Sequence, residues 1–538
     1  MPLAPVLAII LPLLGAGGTL GLSLVPRARP YTRYVALTAV GFTTILILTF
    51  GWMEPEVMIL SLWRPSLLFG ATLVLQSDAA MRLLALALAL VNCSAALVDL
   101  SRAEEPRPRL MATSLALLSA GFVVLWSANI LTMAVSWAIY DLLQTAGHIA
   151  AGGSTRVAVR GLIIGSLATL LLWGGMLLSD SGAGGELWPL MTLSGTQLVL
   201  WAVAGILRLW VYPFYLSTPD GLDAAPLFLG PIVGWGLWLR LVSVNGGALP
   251  GGTWVLIIAA VNLALGSFLA WSCKAPRYVL QWVGIGVTGA VLLAAGLAGE
   301  SAAAVIAAGG FAWALGIAVL FLKNGLSDDL QRDLSWWRIP SLVGALALLG
   351  VPLTLGFVTE ANLIAGLTTE GRLGWGGAFF VGHLFLVPSL MRWLLLPSSS
   401  PVPNRRWPLV ARGVGLGLPA LLLVVAGLHP PLFIGGIGAP SLGPLLAMPG
   451  LTGWLLWAVS LAGGGVLAWQ ERALRPKIEL LLGATHDLLR LEWLCDALVG
   501  ALDRGLSVLR MADEVVGGTG ALLWSWLLFL LILLVWGR

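Results

Sequence analysis

Arg208 and Pro213 stand five residues apart in the apolar stretch Arg208-Leu-Trp-Val-Tyr-Pro213-Phe-Tyr-Leu-Ser-Thr-Pro219-Asp220. A permanent cation in a membrane helix is expensive, and where one is kept it marks a functional site by default. A proline-broken helix at the same depth frees backbone groups that need a cavity or neighbouring protein around them. The stretch Gly350-Val-Pro352-Leu-Thr-Leu-Gly356-Phe-Val-Thr-Glu360 repeats the device, with Pro352 and Gly356 as breakers and Glu360 just beyond. His383, in the middle of a later apolar run, titrates near neutral pH. It suits a proton relay or, as a lone intramembrane histidine, a hydrogen-bonded packing role. Together these residues suit an ion or substrate pathway through an apolar medium.

Other chemistry finds no residues to carry it. The three cysteines, Cys93, Cys273 and Cys495, form no CxxC and have no histidine at ligand spacing, so no metal, cluster or disulfide framework is expected. There is no Walker loop, no GxGxxG after a strand and no GxSxG elbow, and no cofactor is expected.

The elements that position these residues must lie in a bilayer. The chain has 538 residues, 59% hydrophobic and 10% charged, with a net charge of +4. Its mean hydropathy is +0.95. That excludes an ordinary soluble globular protein, and the small charge in short loops excludes a nucleic-acid surface. The 26 tryptophans fit interfacial belts, with anchoring and packing as their expected work. No basic residue precedes Arg27, which argues against a cleaved signal peptide and makes the N-terminus the first span.

Windows of about 20 apolar residues predict about sixteen transmembrane helices. They fall near 3–24, 35–52, 80–98, 111–127, 129–146, 161–178, 198–216, 225–244, 253–272, 278–298, 302–322, 339–358, 375–397, 412–430, 451–469 and 519–537. Alternate loops carry Arg27/Arg29/Arg33, then Arg102/Arg107/Arg109, Arg156/Arg160, Lys274/Arg277, Lys323/Arg332/Arg338 and Arg405/Arg406/Arg412. The opposite loops carry Glu54, Glu56, Asp180, Glu186, Glu300 and Glu370, with Arg64 and Arg372 as basic exceptions. This alternation supports the count and places the N-terminus outside the cytoplasm.

Residues 470–516 are too charged to span. Their polar residues, from Glu471 and Arg475 to Asp513 and Glu514, recur every three to four positions among leucines. That predicts an amphipathic helix lying along the cytoplasmic membrane surface or against partner helices, with Gly483 and Gly500 as candidate breaks. The broken spans are each the fourth of five consecutive spans, 4–8 and 9–13, the trace of an inverted repeat. The expected organisation is N-terminal spans 1–110, five-helix repeats 111–244 and 253–397, C-terminal spans 412–469, a lateral helix 470–516 and a final span 519–537.

Several stretches resemble the antiporter-like subunits of respiratory complex I, a pattern shared with Mrp-type sodium/proton antiporters and related membrane hydrogenases. Arg208…Pro213-Phe-Tyr-Leu-Ser-Thr-Pro219-Asp220…Ala225-Pro226 resembles their Lys…Pro-Phe-His-x-Trp-Leu-Pro-Asp…Ala-Pro. Arg277-Tyr-Val-Leu-Gln-Trp-Val-Gly-Ile-Gly-Val-Thr-Gly289 is similar to Lys-Arg-Leu-Leu-Ala-Tyr-Ser-Ser-Ile-Ser-x-x-Gly. Gly350 through Glu360 resembles Gly-Ile-Pro-Pro-x-x-Gly-Phe-x-x-Lys/Glu, and Trp137 through Leu142 resembles Trp-Glu-Leu-x-x-Leu. Arg160 falls where the family has a basic residue opening the sixth span. No single piece is specific, but the ordered set covers roughly residues 70–395. The last two spans, joined by the amphipathic segment, resemble the largest of these subunits. The resemblance implies an all-α fold of two inverted five-helix bundles, and proton or sodium translocation along buried ionisable residues within a larger complex.

Residue by residue, the sequence departs from that pattern. The family's fifth-span glutamate aligns with Ala138, its seventh-span lysine with Arg208, and its eighth-span His or Lys with Gly234. Its eleventh-span His-Ala-x-x-Lys reads Trp313-Ala-Leu-Gly-Ile317. Arginine holds its proton in proteins, so Arg208 suits a fixed countercharge better than a carrier. Glu360 keeps the twelfth-span group, as a relay or as a cap on the broken helix. Asp141, three residues after Ala138, is a candidate partner for Arg208 or a helix-end aspartate. Tyr215 stands where the family has histidine. Lys323, Arg392 and Arg240 lie near span ends and are expected to snorkel to the interface.

The expectation is a multi-pass subunit of a complex I-like or Mrp-like assembly in a prokaryotic inner membrane, with other membrane subunits as partners and no nucleic acid. Ion translocation through Asp141, Arg208, Glu360 and His383 is the first reading. A non-conducting scaffold that keeps the fold, and an ion-coupled partner of a cytoplasmic enzyme as in inorganic-carbon uptake, are the rivals.

Overall fold

The computed structural model describes residues 3–50, 57–59, 72–102, 105–178, 186–214, 230–274, 276–323, 338–368, 372–395 and 406–491, with scattered positions beyond. The chain divides into two units, Met1–Pro476 and Lys477–Arg538. The first is built from helices in chain order: α1 (Leu3–Ser23), α2 (Thr32–Phe50), α3 (Ala79–Leu100), α4 (Pro108–Leu125), α5 (Ile130–Ala150), α6 (Thr155–Leu177), α7 (Gly195–Arg208) and α8 (Gly230–Val244). There follow α9 (Thr253–Ser272), α10 (Pro276–Leu297), α11 (Ala302–Lys323), α12 (Arg338–Leu348), α13 (Gly356–Thr368), α14 (Gly376–Leu395), α15 (Arg406–Leu428) and, as far as Pro476, α16 (Gly450–Leu489). Each of the first fifteen expected windows overlaps a helix, and the twelfth, 339–358, is divided between α12 and α13, most of which lies beyond it. Eleven among the described residues are long and apolar enough to cross a membrane, and α7, α8 and α12 are apolar but shorter.

The bundle is organised around α11. Its window is 94% buried, and it packs on α3, α8, α10, α12, α13 and α15. Its sequence explains the position. Ala304 through Leu320 carries no charge and alternates small residues with Phe311, Trp313 and Leu315. A helix apolar all round belongs inside, and its small residues let six neighbours approach closely.

Local signals set the helix ends that matter. Asn129 caps α5, its Oδ1 accepting from Thr132 N at 2.8 Å. Ser194 and Gln197 form a reciprocal capping box on α7. α7 ends at Arg208, ahead of Pro213, and the segment that follows is held by Asn262 of α9, whose Oδ1 accepts from Tyr212 N at 2.6 Å. α12 stops at Leu348, and Gly350 takes φ 63°, which glycine adopts without strain. α13 restarts at Gly356, where a Cβ would run into the Ala347 carbonyl. α15 supports the gap, Leu355 N donating to Leu423 O at 3.0 Å. The freed backbone of this break is thus enclosed by protein, as a membrane interior requires.

The structure differs from the sequence expectation in several places. Val57–Ile59 and Val74–Gln76 pair as an antiparallel hairpin in a stretch read as a loop. It covers the α4–α5 turn, with Ala128 N donating to Val74 O at 2.9 Å and Gln76 N to Trp126 O at 2.6 Å. The tryptophans do more core packing than belt work: Trp126, Trp137, Trp188, Trp201, Trp235, Trp238, Trp282 and Trp313 are fully buried, whereas Trp407 and Trp469 are exposed. α16 runs through 469 without a boundary, and Gly483 is helical within it.

Lys323, Arg392 and Arg240 do not snorkel outward. Lys323 Nζ donates to Leu394 O at 2.9 Å. Arg392 donates to Ala270 and Trp271 O at 3.0 Å and to Cys273 O at 3.1 Å, closing the carbonyl end of α9. Arg240 pairs with Asp78, the N-cap of α3. Orphan carbonyls at a helix end attract a cation more strongly than the interface does when they are within reach. Tyr215, Pro219, Asp220, Ala225, Pro226, the loop acids Glu54, Glu56, Asp180 and Glu370, most of 492–516 and most of the final span lie outside the described residues.

Gly356→Ala forces a Cβ against the Ala347 carbonyl and is expected to destabilise the chain by about 1–3 kcal/mol. Gly417→Ala, in α15 with nothing within 4 Å, is the control and leaves the melting temperature of the purified protein unchanged.

Candidate functional site

Among the described residues, two ion-pairing couples have both side chains buried, one early and one late in the chain. The first joins α5, α6 and α7. Asp141 lies one turn beyond Trp137 on the inward face of α5, and Arg208 ends α7. Both Nη atoms of Arg208 donate to the Asp141 carboxylate, Nη2 to Oδ2 at 2.8 Å. Nη2 also lies 2.8 Å from Gly165 O and 2.7 Å from Thr169 Oγ1, both on α6. The guanidinium carbon stands 4.2 Å over the Trp137 ring, a cation–π contact away from water. The side chains of Arg208 and Asp141 are 7% and 5% exposed. Gly165 permits the arrangement, because a Cβ there would stand 2.7 Å from the Asp141 carboxylate.

The second pair joins α13 and α14. His383 Nε2 stands 3.2 Å from Glu360 Oε1, and both side chains are buried. His383 Nδ1 lies 3.2 Å from Phe379 O. A carbonyl accepts only from a nitrogen that bears a proton, so Nδ1–H donates there and Nε2 faces the carboxylate. Glu360 and His383 are thus two ionisable side chains brought together away from water.

Trp210 lines the small cavity beside Arg208, and Trp313 lines another beside Glu360. Trp210, just after α7, meets Trp313 of α11 edge to face, with centroids 5.0 Å apart. Trp210 occupies the space where a side chain on Gly284 would lie. Trp313 Nε1 donates to Gly284 O at 3.0 Å.

No family model matches the chain. Over 348 residues it is 25% identical to the NADH-quinone oxidoreductase subunit N of Mycobacterium sp. (strain JLS), a match spanning 57% of this chain and 74% of that relative. A chain of the Mrp complex from Dietzia sp. DQ12-45-1b superposes with a TM-score of 0.77 at 19% identity. That match covers 99% of this chain and 62% of the Dietzia chain. The membrane-bound sulfane sulfur reductase, an archaeal respiratory membrane complex, gives 0.72 at 15% identity over 99% of this chain and 100% of that one. Respiratory complex I from Thermus thermophilus gives 0.64 at 18% identity over 83% of this chain and 100% of that one. The chain is antiporter-like in fold.

The antiporter-like frame gives meaning to the departures. Ala138, where the resemblance puts a glutamate, is exposed on the outside of the bundle, and the inward carboxylate of α5 is Asp141. Gly234 has no room for a longer side chain, since a Cβ there would stand 3.0 Å from Arg208 O and from Leu209 Cδ2. Ile317 is buried in the core of α11. Of the positions where the pattern has carriers, Gly234 and Ile317 are enclosed by packing and Ala138 faces outward, whereas Arg208 and Glu360 hold ionisable side chains.

Sequence reasoning missed His148. It is buried near the end of α5, seven residues beyond Asp141, and its Nδ1 has no hydrogen-bond partner. The spacing Trp137, Asp141, Gln144, His148 places all four on one helix face, a signal readable once Asp141 is known to point inward. Trp137, Asp141 and Gln144 line a small cavity with Arg208. The pair of buried Arg240 with half-buried Asp78 was also missed, because its partners are 162 residues apart.

Asp141→Asn leaves the Arg208 guanidinium buried without a countercharge and is expected to cost about 3–5 kcal/mol, read as a fall in melting temperature of the purified protein. The double change Asp141→Leu with Arg208→Met is expected to recover most of that loss. An unchanged melting temperature in Asp141→Asn would show that the pair does not hold these helices together.

Proposed function

We propose that the chain is a membrane subunit of a complex I-like or Mrp-like assembly and takes part in proton translocation. Glu360 and His383 are the proton-carrying couple, and Arg208 with Asp141 is the fixed charge that sets the field beside it. The observation that carries this reading is the 3.2 Å approach of two titratable side chains in a buried site, flanked by a broken helix of the kind transporters use for ion sites. Proton transfer between groups at that separation needs no large rearrangement. Arg208 keeps its proton, so its part is electrostatic. The antiporter-like fold and the relation to a subunit N support a place among other membrane subunits of a respiratory or antiporter complex. A prokaryotic inner membrane is the setting these relatives suggest.

A second reading has its own observation. The Trp210–Trp313 contact and the closed positions at Gly234 and Ile317 favour a subunit that keeps the fold for assembly and passes no ion between its halves. Translocation confined to the Glu360–His383 side is compatible with that closure; a path through both pairs is not.

The test is Glu360→Gln in the assembled complex reconstituted into vesicles. Translocation predicts that proton uptake, followed by a pH-sensitive dye, falls by about 10²-fold or more, within the range for loss of a positioned acid–base group, while the subunit composition stays intact. His383→Asn is expected to reproduce the loss. Unchanged uptake in both variants would support the scaffold reading, in which deletion of 471–515 dissociates the complex instead.

A further inference from the structure

The first part of α16 lies across both helices that carry Glu360 and His383. On α13 its Trp454 ring stacks on Phe357, with centroids 5.8 Å apart. Gly453 brings the α16 backbone so close that a Cβ there would stand 2.5 Å from Ile364 Cγ2. Phe357, Glu360 and Ile364 share one face of α13 by their spacing. About three turns further along the same face of α16, Gly464 meets α14. A Cβ on Gly464 would stand 2.9 Å from the carbonyl oxygen of His383 itself and 2.7 Å from Val387 Cβ. Glycine in a helix interior is destabilising by about 1 kcal/mol relative to alanine. At Gly453 and Gly464 the close approach of backbones gives it a reason.

The stiffness of α14 alone does not fix His383. Pro388 stands inside that helix, and its missing N–H leaves the Leu384 carbonyl without a helical donor. Beyond Pro388 the helix is fastened by polar contacts. Trp393 Nε1 donates to Leu320 O at 3.2 Å, and Lys323 Nζ to Leu394 O at 2.9 Å. Arg392 bonds the end of α9 and lies 3.4 Å from Glu471 of α16, which Arg475 also meets. Before Pro388 the turn of His383 is gripped by two helices through close packing. Leu263 of α9 lies against Gly382, where a Cβ would stand 2.5 Å from Leu263 Cδ1, and Gly464 of α16 lies against His383. The charged group facing His383 there is Glu360. A change at Gly464 therefore acts on distance and adds no charge.

We propose that α16 is a clasp that sets the separation of Glu360 from His383, with Gly464 as the positioning residue on α14 and Gly453 as its counterpart on α13. The clasp rests on the reading of these two side chains as the proton-carrying couple. The interaction of two charges a few ångströms apart varies steeply with distance. Moving α14 against α13 by a fraction of an ångström therefore changes the pH at which the couple takes up and releases its proton.

The experiment compares three substitutions in the assembled complex reconstituted into vesicles. Each adds one methyl group and no charge. Proton uptake is followed by a pH-sensitive dye across a range of pH. Gly464→Ala is expected to move the pH midpoint of uptake by about half a unit or more, the change that about half an ångström makes between charges roughly 3 Å apart at an effective dielectric constant of about 20. Gly453→Ala works on α13 from the other end of the clasp and is expected to move the midpoint as well, so it decides the matter if Gly464→Ala fails to assemble. Gly465→Ala, where a Cβ would have nothing within 4 Å, is expected to leave the profile unchanged. A midpoint fixed in both contact variants, with or without a uniform fall in uptake, would overturn the clasp, and so would an equal shift in Gly465→Ala. Glu360→Gln separates the two levels of the argument. Uptake that survives Glu360→Gln overturns the couple and the clasp together. Uptake lost in Glu360→Gln with unmoved midpoints in the glycine variants keeps the couple and overturns the clasp alone.

Discussion

A guanidinium kept away from water must be met by a negative group and by acceptors for its N–H bonds, and Arg208 organises three helices around that requirement. Asp141 on α5 supplies the charge, while Thr169 and the carbonyl of Gly165 on α6 supply further acceptors. The Trp137 ring covers the remaining face. Each contact constrains a backbone: Gly165 brings α6 close enough, and α7 has to end where its last residue reaches α5. A charge this buried is stable only while all of its partners stay in place. The first half of the bundle is therefore tied to one side chain.

The second half meets a related constraint with different chemistry. The break between α12 and α13 puts backbone groups where lipid cannot satisfy them, and α15 closes it through the Leu355–Leu423 hydrogen bond. The same break lets Gly350 pass so close to Glu360 that a Cβ there would stand 3.2 Å from its Oε2. The carboxylate is left facing His383. The two sites differ in chemistry, because arginine keeps its proton whereas a carboxyl and an imidazole are groups able to exchange one. Trp210 lines the cavity beside Arg208, Trp313 lines the one beside Glu360, and their rings meet edge to face.

The cationic residues at the span ends show how strongly unsatisfied carbonyls act in an apolar setting. Arg392 and Lys323 have stems long enough to reach the interface, yet both turn to carbonyls at helix ends. Arg475 joins Arg392 at Cys273 O and at the Glu471 carboxylate. The end of α9 is thereby fastened to α14 and to α16 as far as Arg475. The gain from capping several carbonyls at once exceeds what hydration of a single charge at the interface returns.

The sequence by itself determined the class of molecule, the places where helices form and the two breaks, because these depend on local quantities: apolar run length, the positions of proline and glycine, and capping residues. It also singled out Arg208, Glu360 and His383, since an ionisable residue in an apolar run is visible without any structure. It also named Asp141 as a candidate partner for Arg208, with a helix-end aspartate as the alternative, and the tertiary structure decided between them. Asp141 meets Arg208 across 67 residues, and whether a residue on α5 points inward depends on which neighbours the helix packs against; Ala138, three residues earlier, points out. His148 and the Asp78–Arg240 pair were hidden for the same reason, and so was the pairing of Val57–Ile59 with Val74–Gln76, strands of three residues too short to show a period. Periodicity says which residues share a face. Packing says what that face meets, and in an apolar medium the meeting of charges determines what the site can do.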